Sequence, residues 1–507
     1  MKYFLGIDNG GTSTKAAVYD ENGRELSVAE TSTNLIVPKV GFAERDMEEM
    51  WQANCTVIKK SIDKAKIDPC DIACIACSGH GKGVYLWGKN GKPSYPGICS
   101  IDNRAWEYPK KWAKDGTEKK VFEISKQHIL ACQPVSLLAW LKDHEPNVIP
   151  QTQYIFSCKD YVRFRLTDQA FNEKTDASGA NFVNLDTGEY DKELLSLFGI
   201  EECYDKLPAL KNSADICGRV TKKAAEETGL KEGTAVAGGA FDIDACALAL
   251  KVFDDKCCCM IAGTWSINEY VSSFPILTGE ILMNSFFCIP GKFLVEECSP
   301  TSAGNLEWFI QNLMPELKNE CKKNQSSIYE FIENSIRSLP SDENCPVFLP
   351  FLLGSNVHPL ASSCFIGMSK YHTRAHLLKA VFEGIVFSHR YHFEKLQRSA
   401  KKTFDLIRLA GGANNSVAWT QIFADNMKIP IEVMDVNETG TLGCAVIGAA
   451  ATGTYSSLSQ AAQNMSRVKR VVTPNKDNYS YYDKKYSLYK KCISALEPVW
   501  EEFGKDA

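Results

Sequence analysis

Phe4-Leu5-Gly6-Ile7-Asp8-Asn9-Gly10-Gly11-Thr12-Ser13-Thr14-Lys15-Ala16-Ala17-Val18-Tyr19-Asp20 opens the chain as an apolar strand, a glycine turn and a second strand. Asn-Gly-Gly is a strong hairpin signal because glycine enters positive φ without steric cost. The same residues suit a triphosphate. Two glycines let backbone amides approach phosphate oxygens, the Thr12 and Ser13 hydroxyls add donors, and Asp8 at the strand end can hold a hydrated magnesium ion. A plain hairpin turn would account for the residues equally well.

Working outward, the segment 21–23 is a second turn, and Asp46-Met47-Glu48-Glu49-Met50-Trp51 opens a helix with acidic residues where the helix dipole favours them. Ile72-Ala73-Cys74-Ile75-Ala76-Cys77 reads as a short buried strand that ends in the loop Ser78-Gly79-His80-Gly81-Lys82-Gly83. Ligands of α/β folds collect in loops of that kind. The segment 234–247 reads as strand, small residues and helix, with Asp242 and Asp244 at the helix start. Cys258 to Asn268 then repeats the opening pattern, an apolar strand before the Gly263-Thr264 turn. The echo predicts two related halves joined around residues 251–256. Leu409-Ala410-Gly411-Gly412-Ala413 is a further strand with a glycine turn, followed by a helix over 416–427, and 481–503 is amphipathic and helical.

A chain of 507 residues exceeds what one core usually supports, so two large domains are expected. Net charge is −5, from 57 Lys+Arg and 62 Asp+Glu, with no long block of one sign, which argues against a nucleic-acid arm or a membrane-binding patch. No run approaches the roughly 18 apolar residues of a membrane span, and the N-terminus lacks a secretory pattern, so a cytoplasmic protein is expected. The 20 cysteines would then be thiols. Cys74 and Cys77, and the run Cys257-Cys258-Cys259, lack a second Cys/His pair at zinc spacing and read as strand residues. None of the eight histidines forms a His-Glu-x-x-His pattern.

Phosphoryl transfer needs positioning, charge neutralisation and a carboxylate to orient and deprotonate the attacking hydroxyl. Asp242 is the candidate, although a helix N-cap would use the same residue and Asp244 is its equal on spacing. Asp102-Asn103-Arg104 has paired polar groups that could meet sugar hydroxyls, or could be a turn with a local ion pair. His80 and Lys82 could reach the same place.

Together these motifs resemble the FGGY carbohydrate kinase family. The resemblance runs over nearly the whole chain, on Gly6 to Lys15, Phe42-Ala43-Glu44-Arg45-Asp46 with Trp51, Lys159-Asp160-Tyr161-Val162-Arg163-Phe164-Arg165-Leu166-Thr167, Gly238 to Asp242, Gly263-Thr264 and Leu409 to Ala413. It implies an α/β fold of two ribonuclease-H-like (actin-like ATPase) domains with a central interdomain cleft. Residues 1–250 would hold the sugar and, at their end, the catalytic base; residues 251–507 would hold the nucleotide. By the same resemblance Asp242 is the base, Asp8 the magnesium-associated carboxylate, and Gly10, Gly11, Thr12, Ser13, Gly263 and Thr264 contact phosphates. Gly304, Gly411 and Gly412 match the nucleotide side, and His80, Gly81, Asp102 and Arg104 the sugar side.

The implied activity is ATP- and Mg2+-dependent transfer of the γ-phosphate to a hydroxyl of a pentulose. Stretches 78–83, 134–142, 299–308 and 372–378 are most similar to the L-xylulose kinase subgroup, with xylulose, ribulose, glycerol and erythritol as alternative substrates. His80 replaces an expected Gln, and where xylulokinases carry Gly-Gly-Gly-Asp this chain has an extra large residue, Phe241, before Asp242. By analogy alone, the family suggests a homodimer. An actin-like ATPase without a sugar, or a catalytically dead sugar-binding regulator, would share the hairpins. The ATPase would not need Asp102, Arg104 and a base, and a dead regulator would not need to keep Asp242 and Asp8.

Overall fold

The computed structural model describes residues 2–503 except 264, 353, 359 and 402. The chain divides into two compact units. One comprises residues 1–254, 271–295 and 436–467; the other comprises 255–270, 296–435 and 468–507. The chain thus leaves the first unit at Asp254/Asp255, and two later segments return to it.

The first unit is built on a seven-stranded sheet of β1 (Tyr3–Asn9), β2 (Ser13–Asp20), β3 (Glu25–Ser32), β4 (Ile72–Gly79), β5 (Ile216–Arg219), β6 (Ala235–Ala237) and β7 (Ala240–Phe241). Its order is β5-β6-β4-β1-β2-β3, with β7 also paired to β4. β1 runs antiparallel to β2 and parallel to β4, while β6 and β7 run parallel to β4. The expected hairpin is therefore present, with Asp8 opposite Lys15 and Asn9 opposite Thr14.

The helix Met47–Ala65 covers β2 and β3. Asp46 caps it by accepting from the Glu48 and Glu49 amides, and it ends at Lys66 in the left-handed region (φ 54°). Met47, Met50, Trp51, Asn54, Ile58, Ser61 and Ile62 form its buried face at helical spacing. Trp51 is fully buried, and its indole N–H donates to Glu227 at 2.6 Å. Truncating a buried tryptophan of this kind costs about 3–5 kcal/mol.

The opposite face of β1 and β4 carries the glycine-rich helix Thr439–Ala451, which also packs on the helix Asp242–Ala249. Backbones touch there. A Cβ at Gly6 would lie 1.9 Å from the Thr441 carbonyl oxygen, and one at Gly443 would lie 2.1 Å from that of Ala245.

The second unit repeats the pattern with β8 (Cys257–Ala262), β9 (Ser266–Ser272), β10 (Phe293–Ser299), β11 (Leu406–Gly411), β12 (Ile431–Met434) and β13 (Val468–Val472), in the order β10-β9-β8-β11-β12-β13. β8 is antiparallel to β9 and parallel to β11, as β1 is to β2 and β4. Helices Arg374–Ala400 and Val417–Met427 pack against this sheet, Tyr479–Phe503 packs on both of them, and Ser416 caps the second through the Trp419 amide. Cys257, Cys258 and Cys259 are buried on β8, and Cys74 and Cys77 on β4. No helix is long and apolar enough to cross a membrane among the described residues.

Candidate active site

Strand register brings the first unit's acidic residues together. Asp8 lies beside Ser78 on β4, and Ser78 beside Ala240 on β7, so the next residues outward along the three strands are Asn9, Gly79 and Phe241. Asp242 follows at once, as the first residue of the helix Asp242–Ala249. Two strand spacings, roughly 10 Å, separate the backbones carrying the two carboxylates.

Asp8 is half-buried. Its Oδ1 accepts from Ser78 Oγ at 2.8 Å. Its Oδ2 faces the first turn of the Thr439–Ala451 helix, where a Cβ at Gly440 would come within 2.6 Å. Burial raises its pKa, while the Ser78 hydrogen bond and Lys15 pull it down. Lys15 itself is held by Glu438 at 2.8 Å.

Asp242 is held well above the usual carboxylate range, first by burial and then by the negative charges of Asp8 and Asp176; Lys82 acts in the opposite sense. One of its oxygens accepts from the Ile243 amide at 2.8 Å. Exposure separates the two aspartates that spacing left equal. Asp242 is partly exposed, whereas Asp244 is fully buried one helical step on.

The Gly10-Gly11 turn closes with the Gly10 amide donating to the Ser13 carbonyl at 3.0 Å. From below, the buried Arg45 holds the Gly11 carbonyl at 2.7 Å. Gly11 and Thr12 are exposed, and a Cβ at Gly11 would meet nothing within 4 Å, so that face of the turn is open. Ser13 Oγ donates to Glu30 at 2.7 Å.

The four sugar-side residues are placed less simply. His80 is buried, with Nε2 at 2.9 Å from Tyr85 Oη, and burial together with the Arg45 charge pushes its pKa down to about 3, so the ring is neutral. Gly81 lies against the Phe241 ring, where a Cβ would fall 2.0 Å from Cε2; on the other side the ring meets Gly179. Small residues at 81 and 179 thus make the room that Phe241 occupies.

Asp102 and Arg104 bond to each other and to their own surroundings. Asp102 accepts from the Ala43 amide (2.6 Å), the Arg104 amide (2.9 Å), Arg104 Nε (2.9 Å) and Arg104 Nη2 (2.8 Å). Those contacts use the roughly four lone-pair positions of a carboxylate. Arg104 also reaches Glu44 at 2.8 Å and Tyr95 at 3.2 Å, and the Phe42 ring covers it at 4.1 Å. The local ion pair foreseen in the sequence exists, but it is buried and it braces the Phe42–Glu44 loop.

In the second unit Gly263 follows β8, and Thr264 lies outside the described residues. Gly411 (φ +86°) is forced by close approach, since a Cβ there would lie 2.4 Å from the Ala262 carbonyl oxygen. Gly412 is exposed with open space around it, and Gly304 begins the helix Gly304–Leu313. No group of three or more His, Cys, Asp or Glu side chains is arranged to hold a metal among the described residues.

Sequence reasoning missed Ser78, Asp176, Glu438 and Gly440. Ser78 was within a quoted loop and could have been found from strand register. The other three meet Asp8, Lys15 or Asp242 only through tertiary packing.

The sequence profile of the FGGY family of carbohydrate kinases, N-terminal domain, matches residues 3–249, and that of the C-terminal domain matches 258–452. A Haemophilus influenzae protein named "Probable L-xylulose kinase" is 38% identical over 98% of this chain and 99% of its own. The L-xylulose/3-keto-L-gulonate kinase of Escherichia coli is 36% identical over 98% of this chain and 97% of its own. In fold, the chain is similar to the ligand-bound xylulose kinase of Lactobacillus acidophilus, with a TM-score of 0.88 at 24% identity, covering 99% of this chain and 100% of that one. Two glycine hairpins on repeated sheets, a partly exposed aspartate at a helix start and both domain profiles in order therefore have one explanation: the chain belongs to the FGGY family of carbohydrate kinases.

Proposed function

We propose that the chain transfers the γ-phosphate of ATP to a hydroxyl of L-xylulose, in a cytoplasmic setting. The chemistry rests on Asp242, a partly exposed carboxylate with a raised pKa, seated at a helix start beside Asp8. The substrate rests on relatives of 36–38% identity whose names carry L-xylulose.

In this reading Asp242 accepts the proton of the attacking hydroxyl as its oxygen bonds to the γ-phosphorus and the bond to ADP breaks. Its raised pKa brings it closer to the operating pH, where a general base works best. Asp8 suits magnesium, being a hard oxygen donor at a partly exposed strand end with one oxygen already oriented by Ser78. Magnesium, when bound, supplies charge neutralisation on the phosphate oxygens. Gly10, Gly11, Thr12 and Ser13 are assigned to the phosphates, with Gly11 and Thr12 on the exposed face of the turn and the Gly10 amide and Ser13 hydroxyl holding its shape through the Ser13 carbonyl and Glu30. Gly263, Thr264, Gly304, Gly411 and Gly412 are assigned to the nucleotide, so residues 1–250 carry the sugar and the base and the later half carries ATP.

On the sugar side, His80, Gly81, Asp102 and Arg104 form the wall. His80 and the Asp102–Arg104 pair act by fixing its shape, because their polar atoms are engaged within the protein. One observation favours a second substrate. Lys82, buried with φ +63°, sets its ammonium 5.7 Å from the Phe241 ring centroid and acts on the Asp242 charge. A carboxylate-bearing ketose such as the 3-keto-L-gulonate in the E. coli relative's name would meet a cation there.

ATP consumption with magnesium, measured against L-xylulose, 3-keto-L-gulonate, D-xylulose, D- and L-ribulose, glycerol and erythritol, tests the assignment. L-xylulose is expected to give the highest kcat/KM, with 3-keto-L-gulonate next. A higher value for any other member, or hydrolysis independent of sugar, would overturn it.

A further inference from the structure

The segment Lys159 to Thr167, which the activity above does not use, folds into the helix Cys158–Thr167 and buries an ionic cluster under the base. Lys159 Nζ lies 2.9 Å from Asp160, 3.4 Å from Glu173 and 3.5 Å from Asp176, and Arg163 Nη1 lies 2.7 Å from Asp160. All five side chains are buried. Ions out of water persist only when paired and hydrogen-bonded, so each fixes the position of the next.

This cluster holds both ends of the segment that leads to the base. At one end, Arg163 Nη1 donates to the Gly238 carbonyl at 2.7 Å. At the other, the Phe241 amide donates to Thr175 Oγ1 at 3.0 Å, and Thr175 Oγ1 donates to Glu173 Oε2 at 2.6 Å. Glu173 Oε1 in turn accepts from the Thr175 amide at 3.0 Å and Ser213 Oγ at 2.8 Å. Between the two ends Gly239 (φ +79°) is pressed against β4, where a Cβ would lie 1.9 Å from the Cys77 carbonyl oxygen. Phe241 is the last residue before Asp242, so the peptide that Thr175 holds sets where the base begins.

We propose that Thr175 is a positioning residue for the transfer reaction: its hydroxyl ties the Phe241 amide to the buried Lys159–Asp160–Arg163–Glu173 cluster and thereby holds the Asp242 carboxylate at the angle transfer requires. Valine keeps the shape of threonine but can neither accept from the Phe241 amide nor donate to Glu173; serine can do both. A misplaced base slows the chemical step without weakening either substrate. The inference rests on the assignment of Asp242 as the base.

The test compares Thr175→Val and Thr175→Ser with the parent enzyme in steady-state kinetics, with folded protein quantified by ADP titration. Thr175→Val is expected to lower kcat at least tenfold with the KM values for sugar and ATP within threefold, and Thr175→Ser to return kcat to within threefold. A kcat for Thr175→Val within threefold of the parent, a loss shared by both KM values, or a loss that serine does not restore would overturn the proposal. Should the valine variant not fold, Thr175→Ala against Thr175→Ser reads the same contrast. Asp242→Ala assayed in parallel separates the two claims. Turnover there near the parent value removes the base assignment, and the positioning proposal with it. An inactive Asp242→Ala beside an unaffected Thr175→Val removes the positioning role alone.

Discussion

The hairpins β1–β2 and β8–β9 share one scaffold and differ in charge. Each pairs its first strand parallel to a later strand that ends in glycine, Asn9 beside Gly79 in one case and Ala262 beside Gly411 in the other. One residue earlier the first hairpin carries Asp8 where the second carries Ile261. Around Asp8 stand Ser78, Lys15 and Glu438, and Asp242 feels its charge. At the matching strand ends the second unit instead presents Gly263 after β8 and the bare Gly412 after β11. The shared topology does not distinguish the two turns; the residue at the strand end does.

If that contrast is right, substitutions in the first unit should slow turnover and those at the second unit's glycines should weaken nucleotide binding. The largest effect is expected from Asp8→Asn, which keeps the Ser78 contact but removes the charge. A kcat loss of about 10²- to 10³-fold in magnesium assays is expected, in the range for a lost electrostatic stabiliser. Loss confined to the sugar KM would break the contrast. Arg104→Ala should raise the sugar KM about tenfold while leaving the ATP KM within twofold, because the Phe42–Glu44 loop loses its brace. Equal losses in both would count against its place on the sugar side. Gly412→Val, in open space, should raise the ATP KM roughly three- to fivefold with kcat unchanged, in keeping with a modest loss of contact. A fall in kcat instead would give the glycine turn after β11 a role in the chemistry.

Smaller still is a shift of the pH profile. Asp242 must be ionised to act, and Lys82 opposes the rise imposed by burial, Asp8 and Asp176. Lys82→Met should therefore move the acid limb of kcat to higher pH. A downward or absent shift would contradict this electrostatic account.

The units also share a liability. His80 in the first and His389 in the second are buried and pushed down to about 3, each by burial first. A depressed folded pKa means the unfolded chain binds the proton first. Stability is therefore full above about pH 6.5 and falls as pH drops towards 3, by up to roughly 1.4 kcal/mol per pH unit for each histidine. Urea melts between pH 7 and 5 should show the decline, and His389→Gln should flatten it. His389 sits between Asn268 and Ser302 at 2.8 and 2.9 Å, positions an amide can serve.

Much of this was legible in the sequence. The Asn-Gly-Gly turn, its echo at Gly263 and the small residues before Asp242 anticipated the strand pairs β1–β2 and β8–β9 and the helix that begins at Asp242. The return of residues 436–467 to the first unit was not legible, because it depends on Gly6 and Gly443 allowing backbones to touch across long stretches of chain. Nor could spacing separate Asp242 from Asp244, since only burial does so. Asp102 and Arg104 look like ligand groups in sequence because Ala43 and Glu44, which hold them from outside the loop, are distant in it. Thr175 carries no motif, and its position follows only from the Phe241 amide above it.

The central claim is that the charged strand ends of the first unit perform the transfer, with Asp242 as the base. Single-turnover transfer from γ-labelled ATP to L-xylulose, with both substrates saturating, tests it in Asp242→Ala and Asp244→Ala side by side. The account predicts that Asp242→Ala binds both substrates and transfers at least about a thousandfold more slowly, within the range for a lost general base, while Asp244→Ala, where it folds, transfers within tenfold of the parent. Transfer by Asp242→Ala within tenfold of the parent, or a loss of transfer confined to Asp244→Ala, would contradict it.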